Sequence, residues 1–142
     1  MPSTPSDTEA VRRYLNDIRH HIAMAEGFLA GIDYTTFKDD NLHLYAVVRC
    51  LEIISEASRR LPDELKARHP SIEWRDMAGA GDIFRHEYED VAARRVWRTL
   101  TVRLPLLKIV TEQELAALGA PGSTAMPVSR WTVNALMHRC GE

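Results

Sequence analysis

The side chains best suited to chemistry stand together at Arg85, His86 and Tyr88, in the run RHEY that precedes Glu89 and Asp90. Histidine titrates near neutrality, so His86 could take a proton from a hydroxyl such as the 2′-hydroxyl of a ribose, or return one to a departing oxygen. The neighbouring guanidinium of Arg85 matches a phosphate in shape and charge, and would stabilise negative charge building on its non-bridging oxygens. A second group, Tyr45, Arg49, Glu52, Glu56 and Arg60, recurs along one side of a helical pattern. Two readings of that row stay open. Either its opposite charges balance one another on a solvated face, or Arg49 and Glu56 line a cleft.

Other chemistries find no support in the spacing. His20 and His21 are adjacent and would point apart on a helix, while His43 and His69 lack acidic or thiol partners in a metal-ligand pattern, so no metal or other cofactor is expected. The AGAG run at Ala78 to Gly81 has neither a preceding strand pattern nor the lysine that a phosphate loop requires.

The 142 residues suit one domain, with a formal charge of −2 that supplies no overall positive field for non-specific nucleic-acid binding. A local basic patch remains compatible with that total. Cys50 lies inside an apolar helical pattern and Cys140 near the chain's end, which suits two free thiols in a reducing compartment. The start of the chain lacks a leader pattern, and no run approaches eighteen apolar residues, so the expectation is a cytoplasmic protein with no membrane partner.

The elements that must position RHEY read as helices throughout. Ser6 and Glu9 form a capping-box pattern, after which Val11, Leu15, Ile18, Ile22, Ala25, Leu29 and Ile32 mark a long amphipathic helix. Gly31 to Thr36 interrupts it, and Asp39 to Asn41 offers caps for a second helix with Leu42, Ala46, Cys50, Ile53, Ile54, Ala57 and Leu61 expected inward. Pro62 and Pro70 bracket a kinked connector. The stretch from Trp74 to Tyr88 reads as a weak helix because Gly79 and Gly81 disfavour one, and those glycines suggest the close approach of another backbone or subunit. A last long helix from about Val91 contains Pro105, which predicts a kink near Thr101. The expected architecture is all-α, an antiparallel bundle of about four to five helices. Residues 1–7 are expected to be disordered, 8–118 to form the helical domain, and 119–142 to be a tail with a short helix around Trp131 and Leu136.

The segment from Ala46 to Pro70, AVVRCLEIISEASRRLPDELKARHP, and IEWRDMAG from Ile72, together with YLNDI from Tyr14 and the HEY run before Val96 and Trp97, resemble the HepT-like family. The resemblance spans about Val11 to Leu118. It implies an all-helical toxin subunit that forms a homodimer, cleaves RNA without metal, and is encoded with a minimal nucleotidyltransferase antitoxin. It implies that His86 and Tyr88 are the histidine and tyrosine of the family's His-x-Tyr motif, with the active cleft formed across the dimer. It further implies that the nucleotidyltransferase can place AMP on the Tyr88 hydroxyl and so silence the toxin. Trp97, Trp131 and the glycines near position 80 are the surfaces expected to serve the dimer.

This chain departs from that pattern where the resemblance would place an arginine and an asparagine, because Gly81 and Asp82 stand there. Losing a guanidinium and gaining a carboxylate should repel a phosphodiester. Arg85 is the candidate replacement. Two functions follow: a ribonuclease weakened at Gly81 and Asp82, in which restoring arginine at 81 recovers activity, or a catalytically silent binding or regulatory subunit of a nucleotidyltransferase complex.

Overall fold

The long amphipathic pattern at the start of the chain forms α1, Pro5–Leu29. It buries Leu15, Ile18, Ile22 and Ala25, four positions at three- and four-residue intervals. The computed structural model describes residues 5–82 and 89–119, with side chains over 7–82 and 91–119. Because α1 is already helical at Pro5, Ser6 is not its cap, and Pro5 to Asp7 are helical where disorder was expected. Residues 120–142, including Cys140 and the helix expected around Trp131, lie outside the described residues.

The interruption after α1 contains a helix of its own, α2, Tyr34–Lys38, whose Asp33 cap accepts from the Thr36 amide at 2.9 Å. Its Phe37 is fully buried. The helix α3, Asn41–Arg59, is capped by Asp40 through the His43 amide at 3.1 Å, within the expected capping stretch. Its buried residues are Leu44, Val47, Val48, Cys50, Leu51, Ile54, Ser55, Ala57 and Ser58, so Cys50, Ile54 and Ala57 face inward as expected. Leu42 was expected inward but is 77% exposed. At 3.6 residues per turn it lies about 200° round the helix from Leu44, so the two cannot share a face. Ala46 and Ile53 fall on that same far side and are only half-buried.

The connector holds α4, Asp63–Ala67, with Pro62 as its N-cap. It is followed by α5, Trp74–Gly79, and a 3₁₀ turn, Ala80–Asp82. Met77 of α5 is buried, and Ile83 and Phe84 lie outside the described residues. From Glu89 the chain is described as α6, Glu89–Arg98, a π-helical turn, Thr99–Arg103, and α7, Leu104–Leu118. The kink expected from Pro105 takes the form of that π turn. Proline has no amide to donate to the Thr101 carbonyl, and widening the helix just before it changes which carbonyls need donors. The Thr99 and Thr101 hydroxyls donate to the carbonyls of Arg95 and Trp97 at 3.0 and 2.8 Å, adding bonds along the distorted stretch.

The described residues make an all-α bundle in which α1 packs on α3 and α7, with no strand among them. Trp97 was expected at a subunit boundary. It packs instead within its own chain, with its ring centroid 5.7 Å from that of Tyr34 and 5.2 Å from that of Phe37. That cluster ties α6 to α2. Cys50 is a buried free thiol, and burial raises its pKa, so it is poorly placed to react.

The connector is tied to α7 by a three-residue clasp. Glu114 accepts from Arg68 at 3.2 and 2.7 Å and lies 2.5 Å from His69 Nε2. Hydrogen bonding from Arg68 outweighs desolvation and, with His69, holds the Glu114 carboxyl below its ordinary value of 4.5. A carboxylate with a lowered folded pKa stabilises the fold fully above its unfolded pKa, and this contribution is lost as pH falls through the folded value. Thermal melts of Glu114→Ala at neutral pH are expected to show a loss of about 1.5 to 3 kcal/mol, the usual size of a charged hydrogen-bond contribution. The gap from wild type should narrow as pH is lowered below about 4.5. A gap that widens in acid would contradict the clasp.

Candidate functional site

The described part of the site begins where the 3₁₀ turn meets α3. The Gly81 amide donates to Ser55 Oγ at 2.8 Å, which explains why a serine is buried in the core-facing side of α3. A Cβ placed on Gly81 would lie 2.9 Å from the Glu52 Cα and 3.3 Å from Ser55 Oγ. The first is backbone of a regular helix and cannot swing aside. Position 81 is therefore glycine because two backbones meet there, as the sequence suggested, and the neighbour is α3 of the same chain. This alters the expectation for arginine at 81, which would require the turn to lift off α3. Gly79 differs, because nothing lies within 4 Å of the point its Cβ would occupy.

Arg59, which the sequence reading did not single out, fastens the same junction. One of its nitrogens donates to the Ala78 carbonyl at 2.5 Å and lies 3.6 Å from Asp82, while the other lies 3.1 Å from Glu56. Asp82 thus has a guanidinium of its own, which offsets the repulsion expected from its carboxylate. Its spacing of three from Glu56 was the available signal, but the link to Ala78 and Asp82 depends on tertiary packing.

Arg49, Glu52, Ser55, Glu56, Arg59, Gly81 and Asp82 line one cleft of about 240 Å³. Arg49 and Glu56 do share a cleft, and the charges also balance as the blander reading required. Arg49 lies 3.8 Å from Glu52, and Arg60 lies 3.0 Å from Glu56. Hydrogen bonds from Arg60 and Arg59 hold the Glu56 carboxyl below its usual range. With two guanidinium groups facing three carboxylates, this cleft is a poor anion site.

On the other flank of the turn, Gly79 and Ala80 join Arg75, Asp76, Arg95, Arg98, Thr99 and Arg103 around a cleft of about 340 Å³. Among the described residues, four guanidinium groups and one carboxylate line it. Arg103 is 2.9 Å from Asp76 and 3.3 Å from Glu73, which orients it across the cleft. Among the described residues, Arg75 and Arg98 make no ion pair. The local basic patch permitted by the −2 total is here.

Arg85, His86 and Tyr88 lie outside the described residues. In sequence, His86 follows Asp82 by four residues and precedes Glu89 by three, so the run is tethered between the 3₁₀ turn and α6. Among the described residues no group of three or more His, Cys, Asp or Glu side chains is placed to hold a metal ion. No described helix is long and apolar enough to cross a membrane.

The backbone approach at Gly81 makes a stability measurement decisive. Gly81→Ala is expected to lose about 1 to 3 kcal/mol, the usual cost of overpacking, whereas Gly79→Ala, which meets open space, should melt like wild type or slightly higher. Gly81→Arg should lose at least as much as Gly81→Ala. Equal melting temperatures for Gly81→Ala and wild type would contradict the close approach.

A family described as "Ribonuclease HepT-like" matches residues 18–114. The chain is 41% identical over 95 residues to a protein of Thermococcus cleftensis named "Probable ribonuclease HepT", covering 67% of this chain and 86% of that one. It is 32% identical over 98 residues to a Methanocaldococcus jannaschii protein named "Putative RNase", covering 69% and 84%. A third relative, from Caldanaerobacter subterraneus and also named "Putative RNase", is 35% identical over 97 residues, covering 68% and 87%. No solved structure matches the chain significantly. A match spanning most of the helical bundle, with relatives covered over more than four-fifths of their length, assigns the chain to the HepT-like ribonuclease family.

Proposed function

We propose that the chain is an RNA-cleaving HepT-like subunit whose proton-transfer group is His86. The observation that carries this reading is the RHEY run itself, standing in a chain whose relatives bear ribonuclease names. The proposed reaction is metal-independent transesterification. The 2′-oxygen bonds to the adjacent phosphorus, the bond from phosphorus to the 5′-oxygen breaks, and a 2′,3′-cyclic phosphate and a 5′-hydroxyl result. His86 accepts the 2′-hydroxyl proton and a proton is returned to the 5′-oxygen, so no co-reactant is consumed. Arg85 stabilises the charge on the non-bridging oxygens, which Gly81 cannot do, and Tyr88 orients the phosphate or His86.

Two partners belong to the proposal. One is a second copy of the chain, supported by Val102, Leu106 and Ile109, which follow one another at helical spacing and are 55%, 48% and 53% exposed. The other is a minimal nucleotidyltransferase antitoxin that attaches AMP to Tyr88, where an added phosphate would compete with RNA by bulk and charge. The alternative is a silent regulatory subunit of that nucleotidyltransferase, favoured by the close packing that keeps a guanidinium from position 81.

Cleavage of a short RNA by the purified protein in chelator decides between them. Wild type is expected to elute as a dimer and to yield cyclic phosphate ends. His86→Ala should abolish cleavage, and Arg85→Ala should lower the rate about 100- to 1,000-fold, the usual effect of removing a charge-stabilising donor. Undiminished cleavage by both variants would refute the mechanism. No cleavage by wild type, with Tyr88 gaining AMP from the nucleotidyltransferase in mass spectra, would establish the silent reading instead.

A further inference from the structure

The cleft lined by Arg75, Arg95, Arg98 and Arg103 has no part in the chemistry assigned to RHEY. We propose that it is a phosphate-binding subsite that grips the RNA strand; this rests on the ribonuclease reading for the identity of the strand. Three independent features converge on it.

The first is charge. Among the described residues, Arg75, Arg95, Arg98 and Arg103, from α5, α6 and the π turn, line one cleft of about 340 Å³, with Asp76 within it and Glu73 beside Arg103. Arg75 and Arg98 make no ion pair among the described residues, and their guanidinium forks match phosphate oxygens in pairs. The neighbouring cleft at Arg49 and Glu56 has more carboxylates than guanidinium groups, so a polyanion is directed to the arginine side.

The second is the π turn. Arg98 and Arg103 are five residues apart, which in an uninterrupted α-helix would separate them by about 140°. The wider winding over Thr99–Arg103 narrows that angle, and both residues line the same cleft. A distortion that costs regular helical bonding thus brings a second cation to the site.

The third is Gly79. Its backbone does not need glycine, because it is helical, and packing does not need it either, because a Cβ there would meet nothing within 4 Å. Gly79 is nonetheless one of the residues that line the arginine cleft, and it adds no side chain to that wall. Gly81 keeps two backbones together; Gly79 keeps space for a ligand.

The test measures binding apart from cleavage. Fluorescence anisotropy with a single-stranded RNA that is 2′-O-methylated throughout reads affinity without turnover, over a range of salt concentrations and with the full-length protein. Arg75→Gln/Arg98→Gln is expected to weaken binding at least tenfold. It should also flatten the dependence of log Kd on log salt by about one to two, the effect of removing two phosphate contacts. Gly79→Leu fills the cleft without altering charge and favours the helix, so it should weaken binding severalfold while leaving the salt slope near wild type. Arg13→Gln, which removes an exposed arginine of α1 that lines neither cleft, controls for the general field and should bind like wild type. Circular dichroism establishes that each variant is folded, and Gly79→Leu decides the matter should the double variant not fold. Wild-type affinity in Gly79→Leu, or a loss in the double variant no larger than in Arg13→Gln, would overturn the subsite. Variant-sensitive binding without cleavage by wild type would leave the subsite standing and remove the ribonuclease reading. Cleavage by wild type with binding insensitive to these substitutions would do the reverse.

Discussion

The contact between the Gly81 backbone and α3 determines much of what surrounds it. Ser55 can be buried in a core-facing row because its hydroxyl accepts the Gly81 amide. Arg59 can reach the Ala78 carbonyl and Asp82 because the turn is held that close. With a Cβ at 81 falling 2.9 Å from the Glu52 Cα, any side chain there would require the turn to lift off α3, and so a cation at this position would come only at the expense of this contact. A local packing constraint thereby becomes a constraint on chemistry, because any grip on a phosphate must come from elsewhere.

The turn separates two clefts of opposite character. On one side, Arg49, Glu52, Glu56, Arg59 and Asp82 satisfy one another, and their exposed ion pairs contribute little individually to stability. On the other, Arg75, Arg95, Arg98 and Arg103 gather, and Arg75 and Arg98 make no ion pair among the described residues. The same connector is held at its base by Glu114 with Arg68 and His69, and α6 is held to α2 by the rings of Trp97, Tyr34 and Phe37. The supports therefore lie on both sides of the chain stretch that leads into RHEY and out of it.

How much of this could be read from the sequence follows from how local each cause is. The core face of α1 was legible because Leu15, Ile18, Ile22 and Ala25 repeat with the helical period. The face of α3 was partly misread, because hydrophobicity favoured Leu42, Ala46 and Ile53 over Ser55 and Ser58. Those serines are buried with their hydroxyls used, Ser58 donating to the Ser55 carbonyl at 2.8 Å. Pro105 announced a distortion near Thr101 correctly, although a missing amide alone does not specify a π turn. Gly81 was recognisable as a place of close approach, but its neighbour depends on how α5 packs on α3. The arginine cleft was not legible, since Arg75 stands twenty residues before Arg95 and the two meet only in the folded chain.

The central claim is that packing at Gly81 leaves the arginine side of the turn, and not the Arg49 side, as the place where RNA is held. Hydrogen–deuterium exchange with and without bound 2′-O-methylated RNA reports this most directly. The account predicts slowed exchange over 74–80 and 95–103, with 49–59 unchanged. Protection confined to 49–59 would contradict it.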